Sequence, residues 1–422
     1  MRVTLLTIGF RGDVEPVVAL GGALTGRGHE VRVAAAPEFE AMVRGAGLDF
    51  RPVGPPVAEL LGDGAGQRLI SGAGGVCGQA RQMGRLIEEW AGRLADDALT
   101  AVEGSDALLF TPAANAGRVA EALGIPSMMI SLWPKSRTGE FPAIGFPDLD
   151  VLGAGYNRLT HVLLEQLAWR PLQRAGNRIR TRLGLPPLRW QTPLGRDHRE
   201  GRPVLYGFSE HVLPRPADWR TWLHVCGYWF LDPPEGWRPP SDVSSFLDAG
   251  EPPVAITFGS MSTLNAEWLG ECAVEALRQA GRRGILIGPF QPRGGDDQIL
   301  CVPEVPHHWL FPRTAAVVHH GGAGTTAASL RAGAPSVAVP FFADQPFWAR
   351  RLERLGAGVW PMSLRQLTSD RLAAAIRRAV DERPLRLQAG RIGNALRHEN
   401  GPERAATVVE HEFTAASTPL IA

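Results

Sequence analysis

The stretch AAVVHHGGAGTTAASLRAG, Ala315 to Gly333, runs from an apolar strand through a glycine turn into a helix of small residues. A strand feeding a helix through so short a turn is half of a βαβ unit, the building block of a parallel sheet covered by helices. The turn also carries chemistry. Backbone amides at a helix start point outward, and the helix dipole adds about half a positive charge there. Gly321, Gly322 and Gly324 let the main chain approach an oxygen-rich ligand, and Thr325 or Thr326 adds a hydroxyl donor. No Lys–Ser/Thr pair follows the last glycine, so this is not a Walker A loop, and GGAG lacks the gap to a third glycine that marks a dinucleotide site. The turn is either a phosphate cradle or merely tight packing, and His319 or His320 beside it offers a further donor to the same anion.

The same alternation recurs on both sides. RVTLLTI (Arg2–Ile8) reads as a buried strand, Val14–Gly28 as an amphipathic helix and EVRVAAA (Glu30–Ala36) as the next strand. ALLFTP (Ala107–Pro112) and the run Ala116–Ser131 repeat the unit. From Trp133 to about Gln191 the pattern loosens into a stretch rich in Pro, Trp and Phe, with one helical segment, Arg158–Gly184, and no strand. The proline cluster LDPPEGWRPPSD, Leu231–Asp242, reads as an interdomain linker. Beyond it PVAITFGSM, GILIG, AAVVHH and SVAVP are strands with helices between them, and Gly401–Phe413 reads as a terminal helix. The expected division is 1–230, linker 231–242, 243–400, and a helix and tail over 401–422. Two doubly wound α/β domains facing each other across a cleft follow from this order, with ligands at the carboxyl ends of the strands.

At 422 residues, two domains are the natural expectation. A net charge of +1 leaves no basic field for nucleic acid or an acidic membrane surface. Lys135 is the single lysine among 44 basic residues. Cys77, Cys226, Cys272 and Cys301 show no paired spacing, which argues against a disulfide framework or zinc site and for a reducing cytoplasm. The N-terminal apolar run is too short for a secretory signal, and no segment approaches the ~20 apolar residues of a bilayer span, so no stable membrane insertion is expected.

Val305 to Gly358, VPHHWLFPRTAAVVHHGGAGTTAASLRAGAPSVAVPFFADQPFWARRLERLGAG, resembles the donor-binding signature of family 1 glycosyltransferases. It looks most like the sterol-glucosyltransferase-like branch that includes antibiotic (macrolide, glycopeptide) glycosyltransferases. GFRGDVEPVVALGGALTGRGHEV (Gly9–Val31) resembles that family's N-terminal motif and GYWFLDPPEGWRPP (Gly227–Pro240) its linker. The resemblance implies a GT-B fold of two Rossmann-like domains, acceptor site in the first and nucleotide sugar in the second. It implies that His319 contacts the diphosphate beside the Gly322, Ala323, Gly324 and Thr325 main chain. It implies further that Asp344 and Gln345 bind sugar hydroxyls, that the Val305 main chain meets the nucleobase edge, and that Ser260 is another phosphate-loop contact.

Transfer of a sugar from a nucleotide to an alcohol needs a base for the acceptor hydroxyl and stabilisation of the leaving diphosphate. Asp13 stands just ahead of a helix. Alone it reads as an N-cap, but the resemblance puts the general base at this position. Arg11 either helps neutralise the diphosphate or is simply solvated. Direct displacement inverts the anomeric centre, and amides plus His319 make a metal unnecessary; the nucleotide sugar is a co-substrate and no cofactor is expected. Asp148–Asp150, DLD, mimics a metal motif but lies in a proline-rich loop and reads as a turn. The chain departs from the family at Phe10, where relatives carry a small Ser or Thr, and at Ala327, where the plant branch has a ribose-binding glutamate. His307 and His308 beside the nucleobase segment read as structural, and His29 as a residue leading a strand.

Trp133, Phe141, Phe146, Tyr156, Trp169 and Trp190 enrich the middle region. Most fill a core; Trp133 and Phe141, in the loop after an apparent strand end, are the candidates for holding a lipophilic acceptor such as a polyketide, macrolide, sterol or terpenoid. The donor is UDP-glucose or a dTDP-sugar. Alternatives are a catalytically silent nucleotide-sugar-binding auxiliary protein and a nucleotide-sugar epimerase of the same fold. A PLP-dependent phosphorylase is set aside because Lys135 lies in the N-terminal half.

Overall fold

The computed structural model describes residues 1–56, 59, 90, 92–114, 116–233, 236–291 and 296–417. Cys77, positions 234–235 of the proline cluster and the 418–422 tail lie outside the described residues. The chain divides into two compact units. The first comprises Met1–Glu210, Pro214–Leu231 and Asn400–Ala422, the second His211–Leu213 and Asp232–Glu399.

In the first unit seven parallel strands lie in the order β3-β2-β1-β4-β5-β6-β7. They are β1 (Arg2–Leu6), β2 (Glu30–Ala35), β3 (Asp49–Pro52), β4 (Ala107–Phe110), β5 (Ser127–Ser131), β6 (Val204–Tyr206) and β7 (Leu223–Val225). β1 and β4 are apolar almost throughout and buried, as strands covered on both faces must be. Helix α1 (Arg11–Gly26) follows β1 and buries Val14, Val17, Val18, Leu20 and Leu24 against the sheet. The loose middle region is one long helix, α2 (Gly153–Arg182), followed by the short α3 (Pro193–Glu200). Thr192 caps α3, its hydroxyl accepting from the Gly195 amide at 2.9 Å.

The second unit holds five parallel strands in the order β10-β9-β8-β11-β12. These are β8 (Val254–Thr257), β9 (Gly284–Ile287), β10 (Ile299–Val302), β11 (Ala316–His319) and β12 (Ser336–Ala338). Helix α4 (Ala266–Ala280) buries Leu269, Ala273, Val274, Ala276 and Leu277, the one-sided spacing of a helix lying on a sheet, and ends on Gly281 in the left-handed conformation. Helix α5 (Ala323–Ala332) follows β11, and α6 (Gln345–Arg354) follows β12.

The terminal helix α7 (Gly401–Ser417), which the sequence sets apart from both domains, belongs to the first unit. Ala405, Ala406, Val409 and Phe413 are buried in the same core as Val17, Leu20 and Leu24. Arg27 pairs with Glu403 at 2.9 Å and Glu410 at 2.6 Å, and the His29 Nε2 lies 3.0 Å from Glu410. His29 therefore leads β2, as its place in the sequence implies, and also meets α7. Gly401 is required where α7 begins, since a Cβ there would lie 2.2 Å from the Tyr228 carbonyl oxygen.

Candidate active site

In each sheet the strand order reverses once, between β1 and β4 in the first and between β8 and β11 in the second. Crevices beyond the carboxyl ends of strands at such a reversal are where open α/β sheets bind ligands. GFRGDVEP follows β1, TFGSM closes β8 and HHGGAG closes β11. The motifs singled out by sequence thus stand at the reversal of their own sheet.

Beyond β1, helix α1 starts at Arg11 with Phe10 as its N-cap, so Asp13 is the third helical residue and not the cap itself. The Asp13 Oδ2 accepts the Phe10 amide at 2.9 Å, reaching back to a donor that the helix leaves unused. Phe10 contributes a main-chain N–H here, so its bulky side chain does not disturb the contact. Gly9 has φ +149°, and a Cβ on it would lie 2.2 Å from Asp13 Oδ2. Only glycine lets the loop pass the carboxylate. Thr111, at the end of β4, accepts the Ile8 amide at 3.3 Å and stitches the loop to the neighbouring strand. The sequence reading did not single out Gly9 or Thr111; Gly9 lay within a quoted motif, while Thr111 carried no local signal.

Burial pushes the Asp13 carboxyl up to about 6, the Phe10 hydrogen bond opposing this in part. A carboxylate that is charged at neutral pH yet unusually basic is matched to taking a proton from an alcohol. Arg11 is exposed and pairs with Glu15 one turn on, at 2.6 Å.

Beyond β11, His319 is completely buried. Its Nδ1 accepts the Gly321 amide at 3.1 Å, which fixes the ring proton on Nε2. Burial, with His320 and His307 nearby, lowers its pKa to about 3, so the ring is neutral. The Nε2–H is a buried donor with no partner, and so is the Thr326 hydroxyl. Gly322 is the N-cap of α5 and no acidic residue occupies the first turn. The amides of Ala323, Gly324 and Thr325 precede the first intrahelical bond, Thr326 N–H to Gly322 at 2.9 Å. Buried donors are normally paired. A helix start, an orphan imidazole N–H and an orphan hydroxyl on one turn match an oxyanion.

His320 has a different task. Cβ atoms on Gly259 and Gly322 would lie 2.9 Å and 2.4 Å from its ring, so the ring fills the space between the loop after β8 and the loop after β11. Burial lowers its pKa to about 4. Ser260 follows in the same β8 loop, which the register Thr257–His319 keeps beside the turn. Gly321, with φ +80°, comes so close to α6 that a Cβ would lie 2.9 Å from the Gln345 carbonyl oxygen. The Gln345 side-chain oxygen accepts the Phe341 and Phe342 amides at 2.8 Å and 3.2 Å, leaving its NH2 group as the remaining functional end. Asp344 is the N-cap of α6, and Ala343 before it adopts φ +55°, a strained conformation for a residue with a side chain. Ser260, His319, the α5 amides and Gln345 are thus brought together. Val305 lies apart from them, after β10, its side chain in the core.

Trp133 and Phe141 sit half-buried in the loop after β5, two strands from β1. The Phe141 carbonyl lies 3.1 Å from His161 Nε2, and Asp218 accepts from Thr138 and Gly139 at 2.7 Å and 2.8 Å, so the loop is anchored. Trp169 is core at 6% exposure, whereas Trp190 is 89% exposed. Asp148 and Leu149 precede a 3-10 turn at Asp150–Leu152, with no strand before it. Among the described residues no helix is long and apolar enough to cross a membrane.

The two sheets, each with its ligand loops at a strand-order reversal, define a GT-B glycosyltransferase, and solved structures agree. The glycotransferase of kitacinnamycin matches 98% of this chain and 99% of its own at a TM-score of 0.73 and 22% identity. VinC, a glycosyltransferase solved in complex with dTDP, matches 98% of this chain and 100% of its own at a TM-score of 0.70 and 22% identity. Residues 3–142 match the glycosyltransferase family 28 N-terminal domain, and residues 296–411 match the erythromycin biosynthesis protein CIII-like C-terminal domain. The O-mycaminosyltylonolide 6-deoxyallosyltransferase of Streptomyces fradiae is 42% identical over 99% of this chain and 100% of its own length. A sterol 3-beta-glucosyltransferase of Cryptococcus neoformans is 36% identical over 99% of this chain, which spans 27% of that longer protein. The chain belongs to this family of antibiotic and sterol glycosyltransferases, with a family 28 N-terminal domain and an erythromycin CIII-like C-terminal domain.

Proposed function

We propose that this glycosyltransferase moves a hexose, with inversion and without a metal, from a nucleoside-diphosphate sugar to a hydroxyl of a lipophilic natural product. The observation that carries the reading is Asp13, a carboxylate of raised basicity at the strand-order reversal of the first sheet. Its Oδ1 takes the acceptor proton as the hydroxyl oxygen attacks the anomeric carbon. The bond from that carbon to the diphosphate oxygen breaks, and the electron pair leaves with the diphosphate. The His319 Nε2–H and the α5 amides meet the charge that develops there, which supplies neutralisation without a cation. A single displacement inverts the centre.

In this reading Ser260, Gly322, Ala323, Gly324 and Thr325 line the diphosphate, and the Val305 main chain meets the nucleobase. Asp344 and the Gln345 NH2 group hold sugar hydroxyls. Arg11 reaches the diphosphate by giving up an exposed pair worth little. Trp133 and Phe141 offer apolar surface to the acceptor. A dTDP-deoxysugar and a macrolide-like acceptor stand ahead of UDP-glucose and a sterol. The relative matched over its full length is named a 6-deoxyallosyltransferase, whereas the sterol enzyme is matched over 27% of its length.

A mass-spectrometric screen tests this by pairing dTDP-sugars and UDP-glucose with macrolide aglycones and sterols. The expected result is a glycosyl mass shift on a macrolide-like alcohol with a dTDP-sugar. Epimerised donor with no acceptor product would make the protein an epimerase. Nucleotide binding with no turnover across the panel would make it an auxiliary protein.

A further inference from the structure

The first unit holds a second polar site that the transfer reaction does not use. A hollow of about 380 Å3, partly open to solvent, lies over Met129 of β5, Val204 of β6 and Leu223 of β7, under α3. Its charged lining comes from distant parts of the sequence: Lys135, Arg137, Glu165, Asp197, His198 and Arg202. The carboxylates and guanidinium groups pair off. Arg137 grips Glu165 through two hydrogen bonds of 2.8 Å and 2.6 Å. Arg202 lies 3.4 Å from Asp197 and 2.9 Å from Glu200. The ammonium of Lys135, the chain's single lysine, makes no hydrogen bond or ion pair among the described residues.

A buried, unpaired ammonium is costly, and the group responds by releasing its proton. Burial lowers the Lys135 pKa to about 8, although Asp197 and Glu165 partly oppose this. Burial likewise raises the Asp197 carboxyl to about 6, so it is a carboxylate at pH 8. A lysine with a substantial neutral fraction, facing an open hollow beside a carboxylate that can accept a proton, has the makings of an amine nucleophile.

We propose that Lys135 is an acylation site, its Nζ taking a short acyl group from an acyl phosphate or acyl thioester. The amine lone pair attacks the carbonyl carbon and forms the N–C bond. The C–O or C–S bond breaks, and phosphate or thiolate departs with the electron pair. The proton lost by nitrogen passes to Asp197 and on to solvent. A free anion is a poorer occupant of the hollow, because Glu165 and Asp197 repel it. Acylation, in contrast, replaces an unpaired cation with a neutral amide. The proposal does not depend on the acceptor role assigned to the neighbouring Trp133.

The test is peptide-level mass spectrometry of the full chain incubated with acetyl phosphate or, separately, with acetyl-coenzyme A. Labelling is compared with that of an unburied lysine in a reference peptide. At pH 7.5 the neutral fraction of an amine with pKa about 8 exceeds that of an ordinary lysine by roughly 200-fold. Lower basicity returns about one power of ten of this, if amines follow the trend of thiols. Lys135 should therefore label about tenfold faster than the reference, with a rate that levels off above pH 8. Labelling by either reagent supports the proposal, and the two arms identify the donor. The Asp197→Asn variant should move the midpoint to lower pH, because Asp197 helps keep the ammonium charged. A Lys135 rate at or below the reference with both reagents, or one still climbing through pH 10, would overturn the proposal.

Discussion

The carboxylate of Asp13 occupies the space that a side chain on Gly9 would need: a Cβ there would lie 2.2 Å from Asp13 Oδ2. The glycine and the aspartate are therefore one device. Gly9→Ala should displace the carboxylate and strain a backbone at φ +149°. We expect kcat/KM to fall about a hundredfold, the usual scale of a misplaced catalytic group. Nucleotide affinity, measured by calorimetry, should be unchanged.

The pH–rate profile follows from the same carboxyl group. Its pKa stands at about 6 instead of 3.8, so the base is ionised above pH 6 and protonated below it. log kcat/KM should be flat from pH 7 to 8 and fall with unit slope below 6. His319 and His320, held at about 3 and about 4, stay neutral throughout and add no second limb. A profile still flat at pH 5 would contradict the assignment of the base.

His319 supplies the diphosphate with one buried donor. Removing a hydrogen bond to a charged group costs about 1.5–3 kcal/mol, or roughly 10- to 150-fold in affinity. His319→Ala should weaken dTDP or UDP binding by that factor and leave the affinity for the bare nucleoside unchanged. Equal losses for nucleotide and nucleoside would point to a collapsed site.

Phe413 ties α7 into the core of the first unit at 2% exposure. Phe413→Ala should cost about 3–5 kcal/mol through lost burial and the cavity left behind. For a unit of this size that lowers Tm by about 6–20 °C. Thermal unfolding followed by circular dichroism measures it.

Ala315–Gly333 was enough to read the class of fold, because an apolar strand, a glycine turn and a helix allow few other arrangements. The separate tasks of the two histidines were not legible. They depend on β11 ending at His319, which buries one ring and turns the next toward Gly259 and Gly322. Asp13 was read as a cap because spacing does not fix a helix start to within three residues. The return of α7 to the first unit was hidden for another reason. Ala405, Val409 and Phe413 announce an apolar face but not which core will cover it. The short strands β6 and β7 were lost among prolines and tryptophans, and the Lys135 hollow joins residues scattered from 129 to 223.

The central claim is that Asp13 is the base, and Asp13→Asn tests it most directly. Asparagine keeps an oxygen for the Phe10 amide, so the loop should hold, and Tm at pH 8 should be no lower than that of the wild type because a buried charge is gone. With a productive donor and acceptor, we predict a fall in kcat of about three powers of ten, in the upper part of the range for losing a general base, with nucleotide affinity intact. Product formed by Asp13→Asn at the wild-type rate would contradict the account.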